Sequence, residues 1–250
     1  MLLSGNDIPF PEAKVLIHQP RLKDIALLGE KKFFLGCGML NFSKDLLNTS
    51  DKTNLLNLTD FDILMKIIIS SLNGKEKESK EAVEASFLVL TLLFPGYEIN
   101  FLEKGIELKK DEDKAYINSD NFSSFKKIVS KMFGLSGAGG SADFNPAGSL
   151  SKKIVEKLKK RHQQLAEMKG SKTQDIFGRY ISILAVGAGK DINMLFQYTI
   201  YQLYDEIQRF NLKREYDAYF KAKLAGAQGL EEVQDWEIDL AEVNSKNKNK

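Results

Sequence analysis

The sequence predicts an α+β protein that is predominantly α-helical, with a small antiparallel sheet in its N-terminal half and a helical C-terminal domain. Three observations lead there. Apolar residues recur at three- and four-residue spacing over much of the 250-residue chain, the period of helices with one buried face. The period drops to two around residues 97–117, where Tyr97, Ile99 and Phe101, then Ile106 and Leu108, alternate with polar neighbours, as half-buried strands do. Residues 134–146, GLSGAGGSADFNP, carry glycine and small polar side chains with no apolar period, the composition of a flexible linker.

The elements follow in order. Residues 8–19 hold Pro9 and Pro11 ahead of Val15, Leu16 and Ile17; the prolines exclude a helix and point to an edge strand. Pro20 opens a helix through Leu22, Ile25, Ala26 and Leu28, since proline suits a first turn. Its pattern continues through Phe33 and Phe34 and weakens at Gly36 and Gly38. Residues 48–57 are polar and read as a loop. Thr59 is an N-cap for the stripe Phe61, Ile63, Leu64, Ile67 and Ile68. After a charged turn at 74–80, Ser79 caps a largely buried helix over 82–94, which Pro95 and Gly96 end.

A meander of strands follows, with residues 115–117 as a short third strand. Ser119 or Asp120 then caps a helix with Phe122, Phe125, Ile128, Val129 and Met132 on one face. Past the linker the pattern predicts helices over 151–169, 175–186, 191–210 and 213–225. The expected organisation is an N-terminal α+β domain (1–133), the linker (134–146), a helical domain (147–227), and an acidic segment with a disordered Lys/Asn tail (228–250).

Composition narrows the function class. A net charge of +2, with 43% hydrophobic and 28% charged residues, is ordinary for a globular protein and offers no overall electrostatic footprint for nucleic acid. The single cysteine, Cys37, excludes an internal disulfide. The N-terminal residues lack the basic-then-apolar pattern of a secretory signal. The apolar runs at 63–72 and 82–94 are too short and interrupted to span a bilayer. A soluble, cytoplasmic protein with no membrane partner is expected.

No residue cluster points to catalysis. His18 and His162 have no second ligand at metal spacing, and one cysteine cannot complete a zinc site. No metal and no cofactor are expected. No serine or cysteine nucleophile is marked beside a base. Gly187 to Lys190 mimics part of a nucleotide loop, but Asp191 stands where Ser or Thr is required; it reads as a turn with Asp191 as the next N-cap. The expectation is a protein without enzymatic activity.

Two surfaces remain as candidates. The helix over 151–169 carries seven basic and two acidic residues. Its Lys152, Lys153, Lys157, Lys159, Lys160 and Arg161 are a candidate phosphate-contacting patch, set against the plainer reading of a solvated face. The acidic segment around Trp236 is a third kind of counterpart for it. Residues 175–227 hold six of the chain's eight tyrosines. Phe196, Ile200, Leu203, Ile207 and Phe210 read as a core stripe. Phe177, Tyr180, Tyr198, Tyr201, Tyr204 and Tyr219 are the candidate partner-binding residues, because amphipathic aromatics serve both cores and interfaces.

Several segments recur together: QPRLKDIALLGEKKFF, FNPAGSLSKKIVEKLKKRHQQLAEMKG, IFGRYISILAVG, TIYQLYDEIQRFNL, and FKAKLAGA with a downstream tryptophan. In that order the chain resembles tail assembly chaperones of long-tailed phages and prophages of Gram-positive bacteria, encoded near the tape measure protein. The resemblance spans roughly residues 8–240 and is strongest from 145 to 236; the N-terminal sheet departs from the family's mainly helical pattern. It implies a non-enzymatic protein that binds the tape measure protein, with other tail proteins and self-association as further partners. It also implies action in the host cytoplasm before tail tube polymerisation, absence from the mature virion, and a longer frameshifted product. The alternatives are a structural tail component retained in the virion, or a nucleic-acid-binding protein using the basic helix.

Overall fold

The computed structural model of the chain describes residues 2–43, 58–73, 77–103, 105–134, 175–230, 232–233 and 235–237. The linker beyond Gly134, the basic helix at 151–169 and the Lys/Asn tail lie outside the described residues. The chain divides into two compact units, Met1–Asp143 with Phe196–Tyr201, and Phe144–Leu195 with Gln202–Lys250. Among the described residues there are eight α-helices and two small antiparallel sheets, both in the N-terminal half, which is the expected fold class.

In the first unit, β1 (Ile8–Phe10) pairs antiparallel with β2 (Val15–Ile17), with Ile8 opposite Ile17 and Phe10 opposite Val15. This corrects the single edge strand expected over 8–19. Pro11–Ala13 makes one 3-10 turn between two strands, closed by Lys14 at φ 57°. Pro11 fits the first position of that turn because no amide hydrogen is needed there.

The helix expected from Pro20 is two helices, α1 (Leu22–Leu28) and α2 (Glu30–Leu40). Gly29 separates them at φ 90°, a conformation that a side chain disfavours. Pro20 precedes the N-cap, Arg21, whose backbone amide donates to Asp24 Oδ2 at 3.2 Å. Gly36 and Gly38 lie inside α2 and do not end it.

α3 (Asp60–Asn73) starts as expected at Thr59. The Asp62 amide donates to Thr59 Oγ1 at 3.1 Å and the Thr59 amide donates to Asp62 Oδ2 at 2.9 Å, a reciprocal capping arrangement. α4 (Lys77–Leu93) begins ahead of the expected Ser79 cap, because the Lys/Glu-rich run is itself helix-forming. β3 (Glu98–Leu102), β4 (Gly105–Lys110) and β5 (Asp113–Ile117) form the expected meander, in that order.

Asn121, not Ser119 or Asp120, occupies the N-cap position of α5 (Phe122–Phe133), without a side-chain capping bond to the helix. The Asn118 side chain accepts from the amides of Asp120 and Asn121, and Asn121 Oδ1 accepts from the Asn118 amide. That Asx turn claims the positions that the sequence leaves open.

The core of this unit is aromatic. Phe125 sits 6.0 Å from Phe10, 6.2 Å from Phe94 and 6.2 Å from Phe122, and Phe33 packs edge-on to Phe133 at 5.0 Å. Ile106, Leu108 and Ile117 supply buried sheet residues. A late segment also belongs here. The Leu22 amide donates to the Tyr198 carbonyl at 2.8 Å, Arg21 Nη1 donates to the Gln197 carbonyl at 3.2 Å, and Arg21 bridges to Thr199 antiparallel.

The helices of the C-terminal region are α6 (Ile176–Ala188), α7 (Ile192–Phe196) and α8 (Ile200–Leu224). Helices over 191–210 and 213–225 are not found: the break falls at 197–199, and α8 runs unbroken through Asn211 and Leu212. Residues 211–212 contain neither Gly nor Pro, and Leu212 is buried. At 197–199, by contrast, backbone groups pair with Arg21 and Leu22, which competes with helical hydrogen bonding.

Candidate functional site

Asp175 fixes the start of α6, its Oδ1 accepting from the Gly178 amide at 2.8 Å. From that start, Phe177, Ile181 and Leu184 fall on one buried face. Gly189 closes the helix with a left-handed φ of 65°, and Asp191 opens α7 by accepting from the Met194 amide at 2.9 Å. The glycine-rich GAGK stretch is therefore a helix end and turn, as the sequence indicates. In α8, Leu203, Ile207 and Leu212 are buried.

These frames bring three of the six predicted aromatics together. Phe177 lies 6.3 Å from Tyr204, and Tyr180 meets the same ring edge-on at 6.1 Å. Such pairs add about 0.5–1.5 kcal/mol beyond area burial. Phe177 is only 4% exposed, so it supports the cluster from within. Burial pushes the Tyr180 phenol above its usual pKa, with the Arg179 charge opposing; the residue is half-buried and stays neutral at physiological pH.

The other three sit elsewhere. Tyr198 and Tyr201 belong to the Phe196–Tyr201 segment of the first unit and are half-buried. Tyr219 lies further along α8, with Lys223 Nζ 5.7 Å over its ring. Lys152, Lys153, Lys157, Lys159, Lys160 and Arg161 lie outside the described residues.

Several exposed apolar groups of α6, α7 and α8 were not among the predicted contacts. Phe220 is 49% exposed and stacks on Tyr216 at 6.2 Å and 10°. Leu224 is 76% exposed, and Val186, Ile192 and Met194 are also exposed. The available signal was the apolar spacing Leu212, Tyr216, Phe220, Leu224, which recurs by steps of four on a different side of α8 from Leu203 and Ile207. Lys213 lies over the Trp236 ring at 5.3 Å, so the tryptophan is packed against α8.

The first unit has an open cleft of about 510 Å3 beside the β1–β2 hairpin. His18 Nδ1 lies 2.8 Å from Asp7 Oδ1 there, and Lys110 Nζ lies 5.5 Å over the Tyr97 ring. Its lining residues include neither serine nor cysteine. Cys37 is buried in α2, where desolvation pushes its thiol pKa up. Among the described residues, no group of three or more His, Cys, Asp or Glu side chains could hold a metal ion, and no helix is long and apolar enough to cross a membrane.

Residues 172–237 match the family model described as the YomV second domain. That family name is phage-derived, and the match is consistent with a phage protein. It takes in α6, α7, α8 and Trp236. No curated protein and no solved structure matches the chain.

Proposed function

We propose that this chain is a phage or prophage tail assembly chaperone that binds the tape measure protein before tail tube polymerisation. The observation that carries this reading is the helical region over 175–224. It matches a family of phage-derived name, and it presents aromatic and aliphatic side chains beyond those its own core uses. A long helical partner with apolar stripes would aggregate until those stripes are covered. An amphipathic helical surface covers them by side-to-side packing. Tyr180 and Tyr219 supply rigid contact area with polar tips, Tyr204 supports Tyr180 with its hydroxyl buried, and Phe220 supplies apolar area.

The test is co-expression of the chain, with any frameshifted longer product of its gene, and the tape measure protein encoded nearby. Solubility and affinity co-purification are then scored. The tape measure should become soluble and co-purify. A tape measure protein that stays insoluble and unbound would remove the proposal.

A further inference from the structure

We infer that the distal half of α8 is a self-association surface, pairing antiparallel with the same segment of a second copy of this chain. Between residues 213 and 224 α8 has no buried residue, although it continues for about 18 Å at 1.5 Å per residue. Tyr216, Phe220 and Leu224 follow the buried Leu212 at four-residue intervals and share one face. The stack of Tyr216 on Phe220 stiffens that stripe before any partner arrives. A second apolar stripe of α8, beginning at Leu212, thus runs on past the last residue of the helix that the core buries.

Charges beside the stripe select the occupant. Asp217 and Lys221 lie on the same flank, one turn apart. In an antiparallel helix pair centred near Phe220, equal flanks meet. Asp217 of each copy then faces Lys221 of the other, so the attraction occurs twice. The same register sets Tyr216 beside Leu224 and Phe220 beside Phe220. A parallel pair brings opposite flanks together and moves Lys221 towards Lys223, a like-charge contact. Asp217 already accepts from Lys213 at 3.1 Å in its own helix, and a carboxylate has lone pairs for a second donor. The contact is short, well below the area of a standard interface, so a weak, concentration-dependent dimer is expected.

This inference does not rest on the chaperone reading, and its test needs no other protein. Sedimentation velocity of the full chain is measured from about 5 to 500 μM, a range suited to weak interfaces. The wild type should move from monomer to dimer. Phe220→Asp should stay monomeric throughout, with circular dichroism confirming that it is folded. Asp217→Lys and Lys221→Asp should each weaken the dimer by about tenfold through like-charge contacts, and the double reversal should recover it. A wild type that is monomeric at every concentration overturns the inference and leaves the stripe to a foreign helix. A dimer unaffected by Phe220→Asp places self-association elsewhere. A double reversal as weak as the single variants removes the antiparallel register.

Discussion

Gly36 of α2 lies so close to the Ala85 carbonyl of α4 that a β carbon at Gly36 would overlap its oxygen and crowd the Val89 side chain. The obstacle is backbone, which cannot rotate away as a side chain could. The glycine therefore sets how closely the two helices approach, and the close approach buries Phe33, Cys37 and Leu40 on α2 with Val89 and Leu93 on α4.

Gly36→Ala should destabilise the protein by about 1–3 kcal/mol through overpacking, even though alanine favours a helix more than glycine does. Chemical denaturation of the variant checks this. A variant as stable as wild type would show that the helices separate without cost.

Cys37 sits inside that same contact, and burial raises its thiol pKa. In the native protein it should resist thiol-modifying reagents at neutral pH, then react fully in denaturant, because the thiolate is the reactive form. The Gly36→Ala variant should react faster if the helices part. Rapid labelling of the native wild type would contradict the assigned burial.

The Thr59 cap predicts that Thr59→Ala costs about 0.5–2 kcal/mol. Thr59 hydrogen bonds also lower the pKa of Asp62. A lowered carboxylate pKa means stability that is present above the unfolded value of 3.8 and is lost as pH falls through the folded one. The gap between wild type and Thr59→Ala should therefore be full at neutral pH and narrow in acid. Urea midpoints measured at both conditions decide it, and a gap that widens in acid would contradict the cap.

Glu107 on β4 accepts from Lys114 Nζ at 2.9 Å and from Tyr116 Oη at 2.9 Å, both on β5. The Lys114 bond first, then that of Tyr116, lowers its pKa below the usual 4.5. Its contribution should hold at neutral pH and fade as pH falls through the depressed value. Glu107→Gln should thus be less stable than wild type near neutrality and converge with it in acid. A difference that does not change with pH would remove this network as an ionic contributor.

Phe177 and Phe220 should separate folding from binding. Phe177→Ala removes a buried ring and should cost about 3–5 kcal/mol in stability. Phe220→Ala removes an exposed ring and should leave stability within about 0.5 kcal/mol, while weakening whatever surface contact α8 makes. Thermal melts beside tape-measure co-purification and sedimentation read both effects. Equal destabilisation by the two variants would show Phe220 to be part of the core.

Much of the architecture was legible because it depends on local period and local caps. The alternation around Ile106 and Leu108 is a strand pattern wherever it occurs, and Thr59, Asp175 and Asp191 satisfy amides within their own first turns. The misplaced boundaries have non-local or competing local causes. The hairpin at Pro11 needed a turn between two very short strands. The break before α8 coincides with pairing of residues 197–199 with Arg21 and Leu22, partners separated by 176 residues in the case of Arg21 and Gln197. The aromatic residues were visible as a group, but their spacing did not tell Phe177, which is buried, from Phe220, which is not.

The sequence by itself determined that this is a mainly helical α+β chain with a small N-terminal meander and an aromatic-rich helical region towards its C-terminus. Those features follow from the repeat of side-chain character along the backbone. Only the tertiary structure decided which faces are used up in packing. Leu203 and Ile207 are buried on one side of α8 and Leu212 at the start of a stripe on another, while Tyr216, Phe220 and Leu224 further along that second stripe are left without a core of their own. An apolar residue has the same preference for burial at either place, and only the arrangement of neighbouring elements determines whether that preference is met within the chain.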